Sequence, residues 1–126
     1  MGAKRILAVE NNDLMLSFLK AGLMTAGYDV DTASNGREAL VKLDHAKYDL
    51  VISDMRMPEL DGPGLCRALE ERSDVLDHFL FLGTPDSMEH HRAFLAETRL
   101  PILAKPVAFD DLRSAVERMI GTDGRH

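Results

Sequence analysis

Short apolar runs recur along the chain, and the segments between them carry apolar residues every three or four positions. Residues 5–9 (RILAV), 28–33 (YDVDTA), 48–53 (YDLVIS), 79–82 (FLFL) and 101–104 (PILA) have the length and composition of five strands. The runs 50–52 and 79–82 are apolar at every residue, as expected of strands buried on both faces of a parallel sheet covered by helices. Leu14, Phe18, Ala21 and Met24 fall at helical spacing and predict a first helix, capped by Asn12 or Asp13 and stopped at Gly27. Ala39, Leu40 and Leu43 predict a second, entered through the turn signal Asn35-Gly36. Leu65, Ala68 and Leu69 predict a third after Pro63, and a polar segment at 87–97, with Met88, Phe94 and Leu95, predicts a fourth. A fifth opens at Asp110 or Asp111, carries Leu112, Ala115, Val116, Met119 and Ile120 as its stripe, and closes at Gly121.

Five strands alternating with five helices imply an α/β fold, a three-layer sandwich with right-handed crossovers. The 126 residues are expected to form a single domain, 1–126, with its core over 4–120 and a frayed tail, GTDGRH, at 121–126. At this length folding buries roughly two-thirds of the unfolded surface, so no disulfide or structural metal is required. A 45% apolar share beside 29% charged residues excludes a disordered or fibrous chain. No apolar run approaches a bilayer span, and residues 1–9 run straight into Glu10-Asn11-Asn12-Asp13 without a cleavable apolar leader, so a cytoplasmic location is expected. The lone Cys66 cannot form an internal disulfide, which agrees with a reducing compartment. A net charge of −6 without a basic run speaks against direct binding to nucleic acid or an anionic membrane.

In a parallel α/β sheet the ligand site lies at the carboxyl ends of the strands, where strand order reverses. Those positions hold Glu10-Asn11 after the first strand, Asp54 after the third, Thr84 after the fourth and Lys105 after the fifth. Acids, a hydroxyl and an amine on one edge suit phosphoryl transfer to a carboxylate, which needs a nucleophilic acid, oxygen ligands for magnesium, a cation for the phosphoryl charge and a hydroxyl donor. Polar residues also gather at strand ends as ordinary loop chemistry.

The string DLVISDMRMPELDG at 49–62, together with Lys105-Pro106, strongly resembles the receiver domain of two-component response regulators, and the likeness spans about residues 4–120. It rests above all on D-x-x-M-P-x-x-D-G from Asp54 to Gly62, directly after a buried strand. The resemblance implies a flavodoxin-like fold with strand order 2-1-3-4-5. By the same resemblance Asp54 is the phosphoacceptor, Thr84 the switch hydroxyl that follows the phosphoryl group, and Lys105 the cation paired with it. The metal ligands would be Glu10, Asn11, Asp54 and the backbone carbonyl of Arg56. Pro106 fits the family pattern, in which the peptide bond before it is often cis.

Several positions depart from that pattern. Receivers usually carry two acids after the first strand; here the pair is Glu10-Asn11, and Asn11 offers only a neutral oxygen. A unit-charge pair about 4 Å apart is worth roughly 4 kcal/mol at an effective dielectric of about 20, before desolvation is subtracted, so weak magnesium binding is expected. Asn11 and Asn12 also suit turn and capping roles. Ile102 stands where an aromatic switch residue is usual, Thr98-Arg99-Leu100-Pro101 replaces the usual Gly-Ala, and Pro85 after Thr84 is expected to stiffen a loop that should move. These departures resemble the receivers attached to hybrid histidine kinases more than those of transcription factors. Arg56 and Asp86 occupy the variable positions that in this family modulate water access to the acyl phosphate.

His90-His91 lacks an accompanying zinc-like spacing and is expected to be solvent-exposed. Cys66 reads as a small core residue, Met15 and Met24 as helix packing, and Met55 and Met57 as part of the loop motif. Gly62-Pro63-Gly64 is not a nucleotide loop.

The resemblance therefore implies a phosphorelay receiver that takes a phosphoryl group from a histidine kinase or phosphotransfer protein onto Asp54 and signals by protein–protein interaction. It is expected to be a signalling domain, not an enzyme in the ordinary sense. Leu14, Met15 and Phe18 are the expected kinase contacts; Arg92, Phe94, Arg99, Arg113 and Val116 are the expected output surface toward an unidentified downstream protein. The rival expectation is a constitutive binding module that kept Asp54 but lost its metal pocket. An aspartate-nucleophile phosphatase would need an acid where Arg56 stands.

Overall fold

Every strand in this chain feeds the same carboxyl edge, and the reason lies in how the apolar runs pair. The structure, a computed structural model, describes residues 2–70 and 78–121. Its elements are β1 (Arg5–Val9), α1 (Asp13–Thr25), β2 (Asp29–Ala33), α2 (Gly36–His45), β3 (Leu50–Asp54), α3 (Gly62–Ala68), β4 (Phe79–Gly83), α4 (Pro85–His90), α5 (Arg92–Thr98), β5 (Ile102–Ala104) and α6 (Phe109–Ile120). The five strands form one parallel sheet in the order β2-β1-β3-β4-β5. Every residue of β3 and β4 is buried, as their unbroken apolar runs require.

Alternate residues of the central strands point to opposite layers. Ile6, Ala8, Leu50, Ile52, Leu80 and Leu82 pack with Leu19 and Leu23 of α1 and with Leu112, Ala115 and Val116 of α6. Leu7, Val9, Val51, Phe79 and Phe81 pack on the other face with Ala39 of α2, Leu65 and Cys66 of α3, and Phe94 of α5. Full burial of each Val, Leu, Ile or Phe side chain among these contributes roughly 1.5–3 kcal/mol, which makes the two layers the main support of the fold.

Six helices stand among the described residues where five were expected, because the segment at 87–97 is broken at His91, which closes α4 and opens α5 without a side-chain cap. Pro85 occupies the first turn of α4, where its missing N–H costs nothing, so it starts a helix instead of stiffening a loop. The third strand ends on Asp54 and not before it; α3 begins at Gly62 with Pro63 inside its first turn; and α6 begins at Phe109 with Asp110 and Asp111 in its first turn. Asn12 is the cap of α1, its side chain accepting from the Met15 N–H at 2.9 Å. The expected tail residues 122–126 lie outside the described residues.

The expected face of α1 is reversed. Leu19 and Leu23 are buried and Met15 and Leu16 pack partly against the core, whereas Leu14 (83% exposed), Phe18 (38%) and Met24 (52%) face outward. Apolar residues lie on both sides of this helix, so spacing alone establishes the helix without choosing its inner face. Ala68 of α3 is likewise exposed, while Leu65, Cys66 and Leu69 are buried.

Candidate functional site

Three of the anticipated residues meet at the carboxyl edge of the sheet. Glu10 leaves β1 with its backbone N–H donating to the Ala33 carbonyl of β2 at 3.0 Å. Asp54 ends β3, and the next residue, Met55, donates to the Leu82 carbonyl of β4 at 3.0 Å. Lys105 follows β5, anchored by its N–H to the Gly83 carbonyl at 2.8 Å and followed by a cis peptide bond to Pro106. From these fixed points the Lys105 ammonium lies 3.1 Å from both Glu10 Oε2 and Asp54 Oδ2.

The loop after Asp54 is held by its own motif residues. Met55 and Met57 are buried, Ser53 Oγ donates to the Asp54 carbonyl at 2.8 Å, and Gly62 N–H returns to the Met55 carbonyl at 3.1 Å. Asp61 caps α3 by accepting from the Gly64 N–H at 2.8 Å. A Cβ at Gly62 would stand 2.5 Å from the Asp54 carbonyl oxygen, so the last residue of the motif is glycine because backbone passes there.

The pocket holds two carboxylates and one ammonium, a net single negative charge. Burial, followed by repulsion from Asp54, raises the Glu10 carboxyl above its ordinary range despite the Asn12 N–H and Lys105 that favour its ionised form. Burial opposes the Lys105 charge, yet its hydrogen bonds and attraction to Asp54 and Glu10 outweigh that and hold the ammonium above its usual value. Each Glu10 oxygen accepts one hydrogen bond, Oε1 from the Asn12 N–H at 3.1 Å and Oε2 from Lys105 at 3.1 Å. On Asp54 the ion pair engages Oδ2.

The other anticipated residues are placed differently. Thr84 directly follows β4, but its hydroxyl bonds neither Asp54 nor Lys105: it caps α4, accepting from the Ser87 N–H and donating to Ser87 Oγ, both at 3.2 Å. Asn11 and Arg56 have exposed side chains. Asp86 is exposed in the first turn of α4. His90 is exposed as expected, but His91 is half-buried 3.8 Å from Asp61, and burial first, then the positive potentials of His90 and Arg56, depress its pKa against the pull of Asp61. Two expected output residues are interior: Val116 belongs to the α6 layer, and Phe94 packs edge-on to Phe81 at 5.6 Å with Arg67 over its ring. Met24 is exposed and does not serve packing.

Ser87 is the residue that sequence reasoning passed over. It is 2% exposed, and its side-chain hydrogen bonds all go to Thr84. The signal was present in Thr84-Pro85-Asp86-Ser87, a capping residue with proline at the first helical position and a hydroxyl at the third.

As a site for a divalent cation the pocket fits in kind, since its two carboxylates supply the oxygen donors hard ions prefer. Among the described residues no group of three His, Cys, Asp or Glu side chains converges to hold a metal, so the charge is supplied by Glu10 and Asp54 alone.

Residues 6–117 match the response regulator receiver domain, and the chain belongs to that family. It is 35% identical over 124 residues to the response regulator MprA of Mycolicibacterium vanbaalenii, covering 95% of this chain and 53% of MprA. The chain thus spans about half the length of that relative. The signal receiver domain of a signal transduction histidine kinase from Syntrophus aciditrophicus superposes with a TM-score of 0.82 at 32% identity, covering 98% of this chain and 95% of that one. The receiver domain of sensor histidine kinase PA1611 from Pseudomonas aeruginosa, solved with a magnesium ion coordinated in its active site cleft, gives a TM-score of 0.83 at 26% identity, covering 95% and 99%. The flavodoxin-like order 2-1-3-4-5 and the place of this chain in two-component signalling are thereby as expected. Among the described residues no helix is long and apolar enough to cross a membrane.

Proposed function

We propose that the chain accepts a phosphoryl group on Asp54 from a phosphohistidine of a histidine kinase or phosphotransfer protein. The observation that supports this most directly is the 3.1 Å contact between Lys105 and Asp54 at the end of a fully buried strand. Oδ1 of Asp54 attacks phosphorus, the bond to the donor imidazole breaks, and the imidazole leaves with a proton from solvent. Lys105 stays beside the product and balances the charge gained by Asp54, and the low local dielectric strengthens that pairing. Magnesium, when bound, supplies further positive charge against the phosphoryl oxygens; Glu10, Asp54, the Asn11 amide oxygen and the Arg56 carbonyl would hold it, more weakly than a pocket with another carboxylate.

Signalling then proceeds by contact with other proteins. Leu14 and Phe18 on the outer face of α1 present the apolar surface for the phosphodonor. A groove of about 660 Å³ between α4, α5 and β5, lined by Pro85, Met88, Arg92, Leu95 and Ala104, presents one for the downstream partner. Arg92 and Arg99 stand exposed on α5 and at its end.

The test is intact mass after incubation with acetyl phosphate, with and without magnesium, for the wild type and Asp54→Ala. A phosphoryl adduct that needs both magnesium and Asp54 is expected. A folded protein that gains no adduct, beside a reference receiver that does, would leave the constitutive binding module as the function.

A further inference from the structure

We propose that Ser87 is the positioning residue of the switch hydroxyl, holding the Thr84 proton in the resting fold, so that a phosphoryl group on Asp54 must draw that proton away from Ser87. The proposal rests on the phosphoacceptor reading above and adds the group against which the phosphoryl competes.

The hydrogen bonds between the two residues form a closed set. Ser87 Oγ donates to the Thr84 carbonyl at 3.0 Å, so its single proton is spent, and that oxygen then accepts from the Thr84 N–H at 2.9 Å and from the Thr84 hydroxyl at 3.2 Å. Thr84 Oγ1 in turn accepts from the Ser87 N–H at 3.2 Å. Each hydroxyl has one proton, and the one on Thr84 belongs to Ser87. The oxygens of a phosphoryl dianion only accept. Thr84 can therefore donate to the phosphoryl group solely by giving up its bond to Ser87 Oγ, whereas the Ser87 N–H bond to Thr84 Oγ1 uses a lone pair and is not consumed by that change.

Packing keeps Ser87 from following. Its residue is 2% exposed, and the space beside Gly83, where a Cβ would sit, is closed by Ser87 Oγ at 3.0 Å, Ile102 Cδ1 at 3.1 Å and Met88 Cγ at 3.2 Å. Met88 also lines the α4–β5 groove, and Ile102 is the first residue of β5. The affinity of the phosphoryl state and the strength of the Thr84–Ser87 hydroxyl bond are two sides of one equilibrium.

The experiment measures the affinity of beryllofluoride, added with magnesium as the phosphoryl stand-in, by 19F NMR on the full chain. Ser87→Ala removes the acceptor for the Thr84 proton and should bind beryllofluoride about fivefold more tightly, the equilibrium value of one neutral hydrogen bond. Ser87→Cys, whose larger sulfur is a poor acceptor, should move the same way and guards against a defect that comes from the gap left in the alanine variant. Thr84→Val should bind more weakly, and adding Ser87→Ala to it should change nothing further. Unchanged or weaker binding by both Ser87 variants, with Thr84→Val weakened, overturns the proposal and leaves the phosphoacceptor reading intact. Equal binding by Thr84→Val and wild type removes the contact the proposal needs. A wild type that binds no beryllofluoride removes the phosphoacceptor reading and the proposal together.

Discussion

Glu10 and Lys105 are 95 residues apart in sequence and 3.1 Å apart in space, joined across the ends of β1 and β5 although two strands lie between them. The bond shapes the pocket because Glu10 is nearly fully buried beside a second carboxylate. Burial and Asp54 raise the Glu10 pKa above 4.5 even with Lys105 attached. A carboxyl raised by folding stabilises the fold fully only below its unfolded pKa, and that contribution is lost as pH rises through the folded value. Glu10→Gln removes this titration. Its stability relative to wild type should therefore improve as pH rises from about 4.5 through the raised Glu10 value, read from urea midpoints. A difference independent of pH would mean that Lys105 cancels the burial of Glu10 completely.

Gly62 meets Asp54 through backbone alone. With a Cβ placed 2.5 Å from the Asp54 carbonyl oxygen and 3.0 Å from both Met55 Cα and the Phe81 ring, Gly62→Ala must displace the strand end that carries Asp54. Overpacking of this kind costs about 1–3 kcal/mol. Labelling by acetyl phosphate should fall by more than the loss of folded protein explains, since the shift occurs at Asp54 itself. Gly64→Ala is the control, because its Cβ would meet side-chain atoms alone, Leu60 Cδ1 at 2.9 Å and the capping Asp61 Oδ1 at 3.0 Å, and no backbone of the strand end.

The strands, their parallel pairing and the meeting of Glu10, Asp54 and Lys105 were legible because each follows from a local pattern: unbroken apolar runs, and polar residues at the next position. Matters of phase and partnership were not. Leu14, Phe18, Ala21 and Met24 satisfy helical spacing as well as Leu16, Leu19 and Leu23 do, and nothing local says which set meets the sheet. The break at His91 leaves no proline or glycine in the sequence to announce it. Thr84 is legible as a hydroxyl at a strand end, but its bonds to Ser87 depend on Pro85 starting a helix there. Phe94 and Val116 lie on elements that line a surface, yet their own side chains point inward, which one residue of helical phase decides.

Tyr48 and Asp31 predict an alkaline titration away from the site. The phenol donates to Asp31 Oδ2 at 2.6 Å, Arg5 reaches the same oxygen at 3.0 Å, and the guanidinium lies over the ring. Burial, then the Asp31 hydrogen bond, pushes the phenol up to about 12 from 10.0. A group raised in this way stabilises the fold fully below its unfolded pKa and ceases to as pH rises through its folded one. Ultraviolet titration should show one tyrosine ionising near pH 12, and Tyr48→Phe should abolish that transition. At neutral pH the variant should lose about 0.5–1.5 kcal/mol, the value of one hydrogen bond, and the gap should close at strongly alkaline pH.

The two faces of α1 separate folding from docking. Leu19 is fully buried against the sheet, and Leu19→Ala should cost about 2–5 kcal/mol. Leu14 is 83% exposed, so Leu14→Ala should change stability by no more than about 0.5 kcal/mol. If the outer face receives the phosphodonor, Leu14→Ala and Phe18→Ala should slow transfer from a phosphorylated histidine protein while labelling by acetyl phosphate, which needs no docking surface, stays at the wild-type rate. The contrast between the two donors decides the matter. A loss with both donors would place the defect in the pocket, and a loss with neither would leave the exposed apolar stripe of α1 without a part in phosphoryl transfer.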